Sequence, residues 1–169
     1  NMGPQVDPIE TTRVIEFNDI AALETALSSG EVAAVLAEPV MTNIGIIHPA
    51  PGYHDALREL TRKYETYLII DETHTICTGP GGYTAAYGLK PDFLTLGKPI
   101  AGGVPAAVYG FTEEVSKAFA AKLDLDDADV GGIGGTLAGN ALSIAAMKAT
   151  FQHVLTEEFY KKAIALQEQ

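Results

Sequence analysis

At 169 residues, 47% of them hydrophobic, the chain fits one domain and can bury a sizeable core. Eleven Lys and Arg against 22 Asp and Glu leave a formal net charge of −11, which repels phosphate backbones and argues against nucleic acid or an anionic membrane as partner. Cys77 is the single cysteine, so an intrachain disulfide and a cysteine-rich metal site are excluded. The N-terminal residues carry no basic and apolar signal pattern and no run reaches the length of a membrane span. A cytoplasmic setting is therefore expected. The chain opens on Asn1 and stops at Gln169 in mid helical pattern, so an internal piece of a longer protein is expected too.

In chain order, residues 19–29 read as a short helix with Ile20, Leu23 and Leu27 on one face and Gly30 as its stop. Residues 32–37 are a continuous apolar run, the pattern of a strand covered on both faces. A Pro- and Gly-containing loop leads to a helix over residues 53–64, with Leu57, Leu60 and Tyr64 at helical spacing. Residues 67–71 form the second strand, 78–82 a loop, 85–88 a helical turn and 93–96 the third strand. A fourth strand is expected over 104–111. Thr112 then caps a helix through Ala121 as half of a capping box, since Val115 stands where the glutamate would be. Residues 124–129 are an acidic loop, and the glycines of 131–135 with Thr136 enter a long helix over 137–154. A last helix begins near Thr156. Strands alternating with helices give an α/β fold, a mostly parallel sheet with helices on both faces.

Two strand ends carry the chemistry. The apolar run of Leu68, Ile69 and Ile70 delivers Asp71 and Glu72, and the run from Phe93 to Leu96 delivers Gly97 and Lys98. Ligands of open α/β sheets sit at the C-terminal ends of parallel strands. A carboxylate and an amine meeting there suit pyridoxal phosphate chemistry, which needs an acid for the pyridinium nitrogen and an amine for the aldehyde.

Four motifs in order, Glu38-Pro39-Val40-Met41-Thr42-Asn43, Leu68-Ile69-Ile70-Asp71-Glu72, Leu96-Gly97-Lys98-Pro99-Ile100-Ala101-Gly102-Gly103 and Gly135-Thr136-Leu137-Ala138-Gly139-Asn140, resemble the class III aminotransferases of fold type I. Within that family they are most similar to the branch containing glutamate-1-semialdehyde aminomutase. The resemblance implies part of a large domain binding pyridoxal 5′-phosphate over residues 1–155, with 156–169 starting a helix towards a C-terminal small domain. It implies a ping-pong Schiff-base transfer of an amino group from an amino acid or amine to a keto acid or aldehyde, or, as the alternative, a 2,1-aminomutase reaction. Asp71 matches the aspartate that holds the ring nitrogen, and Lys98 matches the Schiff-base lysine. Thr136 matches a threonine that reaches the cofactor phosphate across a homodimer interface. Asn43 matches an asparagine near the 3′-oxygen, and Thr73 stands where relatives carry a valine on the ring face. No metal is implied. Glu38 is expected to stand behind the site rather than in it.

The chain departs from the family after Glu72, where Thr73-His74-Thr75-Ile76-Cys77-Thr78 lacks the glycine, phenylalanine and arginine that relatives carry. His48 and His74 are expected to be hydrogen-bonded structural residues rather than catalysts. The family's phosphate-binding turn and ring-stacking aromatic have no match here, so the chain alone is expected to hold the cofactor badly. A rival reading takes Asp71-Glu72-Thr73-His74 as the D-E-x-H box of an NTPase, but no G-x-x-x-x-G-K-[ST] loop precedes it. A cofactor-free binding module is the other rival, and retention of both Asp71 and Lys98 speaks against it.

Overall fold

The computed structural model describes residues 6–122 and 136–167, so the expected acidic loop at 124–129 and the glycines of 131–135 lie outside the described residues. Strands β1 (Ala34–Ala37), β2 (Tyr67–Asp71), β3 (Phe93–Leu96) and β4 (Val108–Phe111) form one sheet in that order. β1, β2 and β3 pair in parallel, whereas β4 runs antiparallel to β3. The direction of each strand follows from its connection. A helix crosses over between β1 and β2 and another between β2 and β3. Only a 3-10 turn and a loop separate β3 from β4, too little for a crossover, so β4 returns antiparallel.

Seven helices accompany the sheet among the described residues: α1 (Pro8–Thr11), α2 (Ile20–Leu27), α3 (Tyr53–Lys63), α4 (Gly82–Tyr87), α5 (Glu113–Lys122), α6 (Ala141–His153) and α7 (Glu157–Gln167). Asp19 caps α2 by accepting from the Ala22 amide at 2.8 Å, and the half box at Thr112 is present, its hydroxyl accepting from the Val115 amide at 3.4 Å. On α3, Tyr53, Leu57 and Thr61 recur every four residues and are buried. With Leu23 and Leu27 of α2, Tyr53 and Leu57 close over Leu68 and Ile70 of β2, forming one apolar cluster. Each of these aliphatic side chains contributes about 1.5–3 kcal/mol by leaving water.

The expectation that residues 32–37 are covered on both faces is corrected. Register places Val35 beside Leu68 and Ala37 beside Ile70 on the cluster side, while Leu36 beside Ile69 faces the other way and is 67% exposed. That second face carries a file of aromatics, Tyr67, Phe93 and Phe111, with successive ring centroids 5.6 and 5.8 Å apart. The expected strand at 104–111 is shorter, because Pro105 has no amide hydrogen to give a ladder and pairing starts only at Val108. The expected helix at 137–154 starts four residues late: Gly139 takes φ +71°, and Asn140 supplies the cap through Oδ1 to the Ser143 amide at 2.9 Å.

Asp92 locks the β2–β3 junction. Its carboxylate accepts from the Leu68 amide and from Arg58 Nη1, both at 2.7 Å, and its own amide donates to Leu68 O at 2.9 Å. This clamp joins α3 to the register that sets Asp71 opposite Thr95.

Candidate active site

The alternation of β2 sends Leu68 and Ile70 into the core and leaves Ile69 and Asp71 on the opposite face. Asp71 is the last residue of the strand. Its Oδ1 accepts from the Thr73 amide at 2.9 Å, which turns the chain out of the sheet, and no hydrogen bond among the described residues uses Oδ2.

Glu72 turns inward instead and is 1% exposed. Its carboxylate accepts from Thr75 Oγ1 at 2.6 Å, from the Tyr83 amide at 3.1 Å and from the Thr84 amide. The last two donors belong to the first turn of α4, where a negative charge also meets the positive end of the helix. Glu72 thereby pins the turn of residues 73–76 to α4. With three donors around it, its carboxylate is committed to the fold, which counts against the D-E-x-H reading that needs it for a metal. The sequence pattern gave no sign of this difference between two adjacent acids.

Lys98 sits one residue beyond Gly97 at the end of β3 with φ +49°, a left-handed conformation for a side-chain-bearing residue. Such a conformation costs about 1–2 kcal/mol and is held where the surroundings over-determine it, often at functional sites. Here the surroundings are Pro99, the buried Ile100 and Ala101 of the 3-10 turn Lys98–Ala101, and α6 packed against that turn. The backbone is anchored while the side chain is free to reach over the strand ends.

Lys98 Nζ meets His74 Nε2. The other ring nitrogen of His74, Nδ1, meets Thr42 Oγ1 and lies 3.8 Å from Glu38 Oε2, and Thr42 Oγ1 donates to that same oxygen at 2.6 Å. The expectation of a merely structural His74 therefore missed its contact with the lysine. Only the loop after Asp71 folding towards the end of β3 produces that contact, and no local sequence pattern encodes it. Glu38 ends this network and lines with Asp71 and Met41 a cleft of about 340 Å³ along the edge of β1.

Among the remaining sequence candidates, Thr73 is half-buried and packs beside Gly97, where an added Cβ would lie 3.6 Å from its Cγ2 and Oγ1. Asn43 is exposed in the short hairpin closed by mutual bonds of Met41 and Ile47, and its neighbour Thr42 makes the site contacts instead. Thr136 is exposed in the turn before α6, with no hydrogen bond to Asp71 or Lys98 among the described residues. His48 is exposed, and among the described residues its carbonyl accepts from Asn18 Nδ2. His54, which sequence reasoning passed over, donates from Nε2 to Pro39 O at 3.0 Å beside Tyr53 and Tyr83, and burial holds its imidazole below the ordinary value.

The site thus joins a carboxylate and an amine at the C-terminal ends of neighbouring parallel strands. The chain belongs to the class-III aminotransferase family, whose model matches residues 5–169. It is 38% identical over 168 residues to a glutamate-1-semialdehyde 2,1-aminomutase of Nitrosospira multiformis, covering 96% of this chain and 38% of that protein. A solved glutamate-1-semialdehyde aminomutase from Pseudomonas aeruginosa PAO1 superposes with a TM-score of 0.83 at 55% identity, over 90% of this chain and 35% of the other. A β-phenylalanine aminotransferase from Variovorax paradoxus gives 0.74 at 29% identity, over 88% and 34%. The chain therefore spans little more than a third of these relatives, and its mostly parallel α/β sheet is that of fold type I. Among the described residues no helix is long and apolar enough to cross a membrane.

Proposed function

We propose that this chain is part of a pyridoxal 5′-phosphate-dependent aminotransferase that moves an amino group from an amino acid or amine to a keto acid or aldehyde. The observation that carries the reading is the pair Asp71 and Lys98 at the ends of β2 and β3. The donor set fits the cofactor: Oδ2 of Asp71 is open to a ring N–H, and Lys98 offers a primary amine from an anchored backbone. A solved variant of the Pseudomonas aeruginosa aminomutase, 54% identical to this chain, is in complex with PMP, which supports the same assignment.

When bound, the cofactor supplies an electron-accepting ring that stabilises negative charge at the substrate Cα. Asp71 would hold the ring nitrogen through a charge-assisted hydrogen bond and favour its protonated form. Lys98 would hold the cofactor through its amine and move the substrate Cα proton. Thr73, beside Gly97, would pack on the ring face, and Asn43, exposed in the hairpin next to Thr42, would serve the 3′-oxygen. Thr136 serves the phosphate of a second subunit in a homodimer, a role that suits its exposure. Residues 1–155 belong to the large domain and α7 leads from it towards a small domain. The protein acts in the cytoplasm on small molecules, without nucleic acid or membrane.

The likeness to glutamate-1-semialdehyde aminomutases favours a second reading, a glutamate-1-semialdehyde 2,1-aminomutase, which uses the same residues but returns the amine to the same molecule. One set of measurements on the complete protein tests both. Borohydride reduction should bleach the visible absorption and leave a cofactor-derived label on the Lys98 peptide, and Lys98→Ala should lose it. A colourless protein that stays unlabelled with added pyridoxal phosphate sinks both readings. Turnover of glutamate-1-semialdehyde with no separate acceptor would select the aminomutase.

A further inference from the structure

We infer that Tyr160 is a positioning residue of the proposed cofactor site: its hydroxyl holds the turn that follows Asp71 in place against the turn that carries Lys98. The inference rests on the roles proposed for Asp71, Thr73 and Lys98 and names what fixes their spacing.

The two turns enter the site from neighbouring strands. The segment after β2 carries Thr73 and His74 and winds into the 3-10 turn Thr75–Thr78. The segment after β3 carries Lys98 in the 3-10 turn Lys98–Ala101. Thr73 lies beside Gly97 and His74 meets Lys98, so a shift of one turn relative to the other changes the shape of the site. Strand pairing sets Asp71 opposite Thr95, with one further bond from the Glu72 amide to Thr95 O at 2.9 Å. The turns themselves lie beyond the ladder.

The helix pair α6 and α7 spans them. Thr150 is the buried residue of α6 and Tyr160 that of α7. α6 packs against the Lys98 turn, where Thr150 Oγ1 lies 3.3 Å from the place of a Cβ on Gly102, the residue that ends that turn. α7 packs against the other turn, and the Tyr160 hydroxyl donates to Ile76 O at 3.1 Å. The backbone of Ile76 is thereby held at both ends, since its amide donates to Glu72 O at 2.8 Å. Thr150 O accepts from the Val154 and Leu155 amides, both at 2.9 Å, which fixes the junction between the two helices. Tyr160 is 4% exposed, whereas Phe159 and Ile164 on the same helix are 43% and 39% exposed. A helix seated through one tyrosine, whose hydroxyl goes to a turn of the site, acts as a strut between the two turns.

The test compares Tyr160→Phe with Tyr64→Phe in the complete protein. Each removes one phenolic hydroxyl and keeps the ring. Tyr64 donates to Glu24 at 3.3 Å, joining α3 to α2 away from both turns. In the cofactor-free protein, hydrogen exchange mapped by peptide mass should quicken about two- to tenfold in Tyr160→Phe for the peptide holding the Ile76 and Cys77 amides, the range set by losing one neutral hydrogen bond. Tyr64→Phe should leave that peptide at the wild-type rate. In the protein loaded with pyridoxal phosphate, Tyr160→Phe should weaken the visible circular dichroism of the cofactor band and lower kcat by about two- to tenfold, and Tyr64→Phe should change neither. Wild-type exchange in Tyr160→Phe overturns the inference. So does quickened exchange with an unchanged cofactor spectrum and kcat, which would mark a bond of the fold alone. Equal changes in the two variants overturn it as well, because they would report general loosening. Failure of borohydride to label Lys98 in wild type would instead sink the cofactor reading, and with it the site that Tyr160 positions, while the exchange difference would stand as a property of the fold.

Discussion

Gly82 offers a direct check on the role given to Glu72. It opens α4 at φ +66°, and an added Cβ would lie 2.6 Å from Glu72 Oε2 and 2.9 Å from its Cδ. Gly88, at the other end of the same helix, has nearly the same φ, +67°, but nothing within 4 Å of its Cβ position. Alanine at either site meets the same left-handed strain, about 1–2 kcal/mol, and the same small gain from a stiffer unfolded chain, about 0.4–1 kcal/mol. Those contributions cancel between the two variants. Gly82→Ala must also displace a buried carboxylate that accepts three hydrogen bonds. Hydrogen bonds to a charged group contribute roughly 1.5–3 kcal/mol each. Losing a single one makes Gly82→Ala worse than Gly88→Ala by about 2 kcal/mol. Urea unfolding followed by far-ultraviolet circular dichroism measures the difference. Equal midpoints for the two variants would refute the claim that Glu72 is locked in place.

Three further outcomes follow from the packing. Asp92→Ala removes the common acceptor for Arg58 and the Leu68 amide; the Arg58 and Asp92 side chains are only 16% and 20% exposed, so the loss should destabilise by about 2–4 kcal/mol, and a urea midpoint within error of wild type would deny the clamp. Leu57→Ala empties a fully buried position in the cluster under β2 and should lower stability by about 3 kcal/mol, read from the same transition. Burial holds the His54 imidazole below its ordinary value of 6.5, so the unfolded chain takes up a proton at a pH where the folded one does not. Its contribution is complete above pH 6.5 and is lost as pH falls through the folded value. Wild type should therefore lose more stability than His54→Gln between pH 7.5 and pH 5.5, and parallel pH curves would contradict this.

Much of the architecture was legible because it depends on short-range patterning. The apolar runs ending at Asp71 and Lys98, the capping residue Thr112, and the helical spacing of Leu57, Leu60 and Tyr64 on α3 each act through neighbours within a turn or a strand. Burial by distant segments was not legible. The run at residues 32–37 looked buried all round, yet register with β2 leaves Leu36 on an open face. Adjacent acids looked alike, yet pleating sends Asp71 to the strand end and the turn sends Glu72 into the interior.

By itself the sequence determined which residues end the strands and which chemistry they can offer, since a strand's length and a side chain's functional groups are local properties. Tertiary structure alone decided who meets whom. The parallel register sets Asp71 opposite Thr95, three residues before Lys98, and so brings together loops that are 24 residues apart at His74 and Lys98 and 32 apart at Thr42 and His74. Contacts over such separations are fixed by the pairing of strands and not by any pattern along the chain.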